Sequence, residues 1–125
     1  MLGRLLLLCL LVATALPHAR AQAEGGCIMA GQQVIGTCED ERSVIASVFP
    51  LSANEPVPAQ QIDAAVAALK AAQGLPAQTC CTSVAPFMSA GCSSDPTLLS
   101  ILPGVGIQPA GLNATLTALE EACGI

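Results

Sequence analysis

The chain has no tryptophan, no tyrosine and only two phenylalanines, Phe49 and Phe87, in 125 residues. Its core must therefore be aliphatic, built from Leu, Ile, Val and Ala. Basic residues are equally scarce, four in all. That argues against nucleic acid as a partner, because phosphate neutralisation needs clustered Lys and Arg. It also removes the polybasic patch that anionic membranes attract. The single histidine is His18, and no C-x-x-C pair occurs. A zinc site would lack its usual ligand set, so no metal and no other cofactor is expected. The longest apolar run, Leu5 to Leu16, covers 12 residues. A membrane span needs about 20, so no stable membrane insertion is expected.

That run has another reading. Arg4 precedes it, and Ala19, Ala21 and Ala23 follow it. A basic start, a short apolar core and small residues in an A-x-A pattern make a secretory signal peptide. We assign residues 1–21 to the signal, with cleavage after Ala21 or Ala23, and residues 22–125 to one domain. Removal takes Cys9, His18, Arg4 and Arg20 with it. Arg42 and Lys70 then face nine acidic residues, a net charge of −7. Six cysteines remain: Cys27, Cys38, Cys80, Cys81, Cys92 and Cys123. An even count in an oxidising compartment reads as three disulfides in a secreted, extracellular or cell-wall protein.

Cys80 and Cys81 are neighbours. Bonding them to each other would strain the peptide between them. On a helix they project about 100° apart, so they should reach two different partners. Fifteen pairings of six cysteines remain open at this level.

Proline, glycine and apolar spacing divide the chain into helices. Thr37 reads as a cap, followed by the acidic Glu39, Asp40 and Glu41 at the positive end of a helix dipole. Cys38, Arg42, Ile45 and Phe49 share one face, with Val48 beside them, and Pro50 ends the segment. Leu51 to Val57 is a loop. Pro58 opens a helix to Gln73 with the stripe Ile62, Val66 and Leu69, and Gly74 stops it. Pro76 opens a third helix with Cys80, Cys81, Val84, Phe87 and Met88 facing inward. Pro86 predicts a kink or an early end there. Asp95-Pro96 caps a short helix to Leu102. Pro103 to Gly106 reads as a mobile loop. Pro109 to Cys123 forms the last helix, with Leu112, Leu116 and Leu119 on its stripe and Gly124 as its stop. The fold class is all-α: a small disulfide-stabilised bundle of four or five helices with room for an internal apolar cavity.

An enzyme is not expected. The domain has no histidine, so no Ser-His or Cys-His nucleophile pair can form. Glu39, Asp40, Glu41, Glu120 and Glu121 sit at helix ends, where solvated carboxylates are expected. Asn113-Ala114-Thr115 is a glycosylation sequon, and Asn113 lies off the apolar stripe, within reach of solvent.

The segments Cys80-Cys81-Thr82-Ser83-Val84, Gly91-Cys92-Ser93-Ser94-Asp95 and Leu98-Leu99 resemble the plant non-specific lipid-transfer and seed-storage (prolamin) superfamily. So do Leu102-Pro103, Val105-Gly106-Ile107, and Leu119 before Cys123-Gly124. Members share a C…C…CC…CxC…C…C framework around a right-handed bundle of four helices with an apolar tunnel for acyl chains. This chain would be a divergent six-cysteine member. Its C-x-C element reads Cys92-Ser93-Ser94, and no cysteine follows Cys123. The 41 residues between Cys38 and Cys80 are long for the family, and the acidic charge is unusual. The resemblance implies the pairs Cys27–Cys92, Cys38–Cys80 and Cys81–Cys123.

It also implies lipid binding: a secreted carrier holding an acyl chain or sterol, acting as a monomer. Candidate wall residues are Ile45, Val48, Phe49, Ile62, Val66 and Leu69 from the first half. Val84, Phe87, Met88, Leu98, Leu99, Ile101, Leu102, Leu112, Leu116 and Leu119 come from the second. Arg42, on the stripe with Cys38 and Ile45, is the candidate for a lipid headgroup. Relatives in the superfamily inhibit proteases and amylases, which makes an inhibitor the alternative, with Leu51–Val57 and Pro103–Gly106 as its loops. An extracellular structural or interaction protein without a ligand cavity is a further reading.

Overall fold

The computed structural model describes residues 26–125. The signal peptide expected over residues 1–21 and its cleavage site lie outside the described residues. Among the described residues six α-helices form and no strand does. They are α1 (26–37), α2 (Glu39–Ala46), α3 (Ala59–Ala71), α4 (Gln78–Ser89), α5 (Pro96–Ile101) and α6 (Pro109–Cys123). Two 3-10 turns, Cys92–Ser94 and Leu102–Val105, flank α5. The all-helical, bridge-held bundle matches the expectation, with α1 as the helix that sequence reading did not place.

The α1 helix changes the account of Thr37. Its hydroxyl donates to the Gln33 carbonyl at 2.7 Å and lies 2.6 Å from the Ser83 hydroxyl. It therefore ties α1 to α4 and does not cap α2, which has no side-chain cap. The backbone bends at Cys38, whose N–H still donates to the Val34 carbonyl and whose carbonyl accepts from Arg42.

Most punctuation acts as read. Pro58 precedes α3, Gly74 lies at φ 80° beyond it, and Gly124 at φ 72° ends α6. The Asp95 carboxylate accepts from Leu98 N–H at 2.8 Å, the N-cap bond that starts α5. Two readings need correction. The α4 helix runs through Pro86 to Ser89, and Ala90 N–H still donates to the Pro86 carbonyl. Only the bond that Pro86 itself would have donated is forfeited. The Pro103–Gly106 segment is a hydrogen-bonded turn: Gly106 donates to Pro103 and Ile107 to Leu102. Gly106, at φ 80°, supplies the left-handed residue that closes it.

Helix α6 packs against α2, α3 and α4 and so centres the bundle. Its Leu116, Ala118 and Leu119 are buried, with Ile45 of α2, Ala65, Val66 and Leu69 of α3, and Val84 and Phe87 of α4. The start of α6 is held by the loop before α3. Gln108 N–H donates to the Leu51 carbonyl at 3.0 Å and Gly111 N–H to Ala53 at 3.2 Å. These bonds occupy donors that a helix start otherwise leaves free. The approach is so close that a Cβ on Gly111 would overlap the Leu51 carbonyl.

Three disulfides cross-link the bundle: Cys27–Cys92, Cys38–Cys80 and Cys81–Cys123. Their Cα separations are 5.2, 4.7 and 5.5 Å. The neighbours Cys80 and Cys81 bind α4 to two places, the α1–α2 junction and the end of α6. Cys27–Cys92 ties α1 to the turn that precedes α5. The pairs are the ones the family resemblance implies.

Glu41 is the carboxylate that does not behave as read. It is 1% exposed, and its Oε1 accepts from Ala77 N–H at 2.8 Å, joining α2 to the start of α4.

Candidate functional site: an apolar cavity beneath α1 and α5

A cavity of about 210 Å³ lies where α1, α5 and α6 converge. From α1, Ile28, Gly31, Val34 and Ile35 form one wall. From α5 and the turn after it come Leu98, Ile101, Leu102 and Val105. Leu112, Thr115, Leu116 and Leu119 of α6 form the floor, and Phe87 of α4, Leu51, Ile107, Gln32 of α1 and Arg42 of α2 complete the lining. The wall is almost wholly aliphatic, as the composition dictates.

Gly31 shapes this space. A Cβ there would meet Leu98 Cδ1 and Phe87 Cε2 at 3.6 Å, so a larger side chain would project into the cavity. Ile35, Ile101 and Val105 line the cavity and yet are 41%, 48% and 71% exposed. They therefore form its rim and mark where it opens.

Three polar side chains interrupt the apolar wall, Gln32, Arg42 and Thr115, and the last two are incompletely bonded. Arg42 donates from Nη2 to the Ile35 carbonyl at 2.9 Å, but its buried Nε–H has no partner. The Thr115 hydroxyl is also buried and without a partner. Buried polar groups are nearly always hydrogen-bonded, so two exceptions in one cavity call for an explanation.

The structure divides the residues proposed from sequence. Arg42, Phe87, Leu98, Ile101, Leu102, Leu112, Leu116 and Leu119 meet at the cavity. Ile45, Phe49, Val66, Leu69 and Val84 instead fill the solid core between helices. Val48 and Met88 are half-buried and pack against that core. Ile62 and Leu99, with Leu112, line a second depression of about 470 Å³ beside α3 and α6. That depression is more open and carries Ser93, Ser94, Asn113 and Thr117 on its walls. It is the poorer container for an apolar molecule despite its size. Asn113 is exposed at its edge. Sequence reading missed Ile28, Gly31, Gln32, Val34 and Ile35, because it placed no helix before Thr37. The spacing of Cys27, Ala30, Val34 and Cys38 is the helical signal that was available.

Among the described residues no helix is long and apolar enough to cross a membrane, and no group of three His, Cys, Asp or Glu could hold a metal ion. Three disulfides in so small a domain are compatible with an oxidising, extracellular setting. No family model, curated protein or solved structure matches the chain.

Proposed function

We propose that the protein is a secreted, monomeric carrier that holds the apolar tail of a small hydrophobic ligand in the cavity beneath α1 and α5. On this reading it is a divergent six-cysteine relative of the plant lipid-transfer and prolamin proteins. The observation that carries the proposal is the aliphatic cavity with an exposed aliphatic rim and one arginine in its wall. This space is more enclosed than the 470 Å³ depression and its walls are nearly all aliphatic, which suits it to an apolar tail. Three bridges make such a space affordable in stability, because they hold the helices without a filled centre.

An acyl chain suits the cavity better than a sterol. Drug-sized ligands occupy sites of about 300–1,000 Å³, and 210 Å³ lies below that range. Arg42 is a fixed cation and favours an anionic or strongly polar head. The two loops of the inhibitor alternative both contribute to the cavity, through Leu51 and Val105, which favours carriage. A glycan on the exposed Asn113 would stand beside the 470 Å³ depression and leave the carrier cavity open.

Native mass spectrometry of the oxidised protein with fatty acids, lysolipids and sterols tests this. A one-to-one adduct with a fatty acid that displaces a fluorescent acyl probe is the expected result. The absence of any adduct would return the cavity to plain core and leave the inhibitor or structural reading.

A further inference from the structure

Thr115 is a buried threonine whose hydroxyl finds no partner in the folded molecule. A helical threonine can turn its hydroxyl to a carbonyl one turn back. Thr117 does so to Asn113 at 2.8 Å, and Thr37 to Gln33 at 2.7 Å. Thr115 is 3% exposed and its hydroxyl bonds nothing. A valine of the same shape would leave no polar atom stranded. The hydroxyl is thus a burden once the chain has folded, and its use must precede folding. Its place in the sequence supplies that use. Thr115 is the third residue of Asn113-Ala114-Thr115, the position at which an N-glycosylation acceptor requires a hydroxyl.

The acceptor side chain is placed to carry the product. Two positions along a helix turn about 200°, so α6 buries Thr115 and leaves Asn113 exposed on its other side. Asn113 borders the 470 Å³ depression, whose walls combine Val57, Ile62 and Leu99 with Ser93, Ser94 and Thr117. An N-acetylhexosamine offers the same combination, C–H faces and an acetamide methyl beside hydroxyls. The space lies within the roughly 300–1,000 Å³ of small-molecule sites.

We propose that Asn113 carries an N-linked glycan and that the depression seats its first sugar. This rests on the secretion part of the reading above and is independent of the ligand. The donor is an oligosaccharide on a lipid pyrophosphate. Asn113 Nδ2 bonds the anomeric carbon of the first sugar, and the C–O bond to the pyrophosphate breaks. The lipid pyrophosphate leaves with the electron pair, Nδ2 gives up one proton, and nothing is oxidised or reduced. The glycan covers a mixed patch of surface with a bulky, solubilising group.

The test is expression of the full chain in a eukaryotic secretory host, with intact mass measured on the secreted, oxidised protein. Peptide-N-glycosidase in heavy-oxygen water should remove the mass of an oligosaccharide and convert Asn113 to a labelled aspartate. Thr115→Ser should keep the glycan, and Thr115→Val and Asn113→Gln should lose it. Thr115→Val should melt no lower than Asn113→Gln, since both lack the glycan and only an unpaired hydroxyl separates them from a shared fold. A lower melting point would give that hydroxyl a role in the folded state and overturn the argument. With the glycan trimmed to one sugar, methyl NMR should show shifts at Val57, Ile62 and Leu99 relative to Asn113→Gln, with Ile28 and Leu98 unmoved. No shift at those three methyls would overturn the seat. A secreted parent without any glycan would overturn the whole inference and leave the carrier reading standing. A chain retained inside the cell would overturn secretion as well.

Discussion

The Glu41 carboxylate accepts the backbone N–H of Ala77 at 2.8 Å, across 36 positions of sequence. Within a capping box, a glutamate of the same helix bonds the N-cap N–H. Here α2 supplies that glutamate to α4. Glu41 is almost completely buried, so the bond is shielded from water. Glu41→Ala should cost about 1.5–3 kcal/mol, the range for a hydrogen bond to a charged group. Glu41→Gln keeps an acceptor and should cost less. Urea unfolding of the two variants checks the order; equal losses would mean that the charge, not the acceptor, matters.

Gly111 sets how closely the Leu51 loop meets α6. Gly111→Ala would drive a methyl into the Leu51 carbonyl and break the bonds from Gln108 and Gly111 to that loop. Overpacking of this kind typically costs 1–3 kcal/mol, so a loss of about 2 kcal/mol is expected despite the higher helix propensity of alanine. A variant as stable as the parent would show that the loop can move away from α6.

Gly31→Ala should have the opposite sign. Its methyl would sit at ordinary contact distance, 3.6 Å, from Leu98 and Phe87. Alanine in a helix interior gains about 1 kcal/mol over glycine. The melting temperature should rise by about 4–8 °C for a domain of this size. The same methyl narrows the cavity, so affinity for an acyl ligand should fall. Higher stability with weaker binding would show that Gly31 keeps space open at a cost in stability.

The bridges should be needed for binding as well as for folding. Loops of 42 and 65 residues are each worth roughly 4 kcal/mol when closed, by the chain-entropy model. Full reduction should abolish acyl binding together with the cooperative thermal transition. Binding that survives complete reduction, monitored by the same displacement assay, would contradict a cavity held by bridges.

What the sequence reveals and what it hides follow from the kinds of signal each segment carries. Helices α3, α5 and α6 are legible because Pro58, Asp95-Pro96, Pro109, Gly74 and Gly124 have fixed backbone meanings. The segment before Thr37 is harder, since Gly26, Gly31 and Gly36 lower its helix propensity while packing and the Cys27 and Cys38 bridges hold it helical. Missing that helix hid one wall of the cavity. Apolar stripes also cannot separate wall from core: Leu69 and Leu116 look alike in sequence, yet only Leu116 faces the space. Neither the burial of Glu41 nor the unpaired hydroxyl of Thr115 has a sequence signal, because both depend on which helices pack together.

The most direct test of the carrier account is a methyl NMR titration of the oxidised protein with decanoate. The account predicts saturable shifts at Ile28, Leu98, Ile101 and Leu116, with Leu69 unmoved in the solid core. Shifts confined to Ile62 and Leu99 would place the ligand in the open depression instead, and no shift at any methyl would contradict carriage altogether.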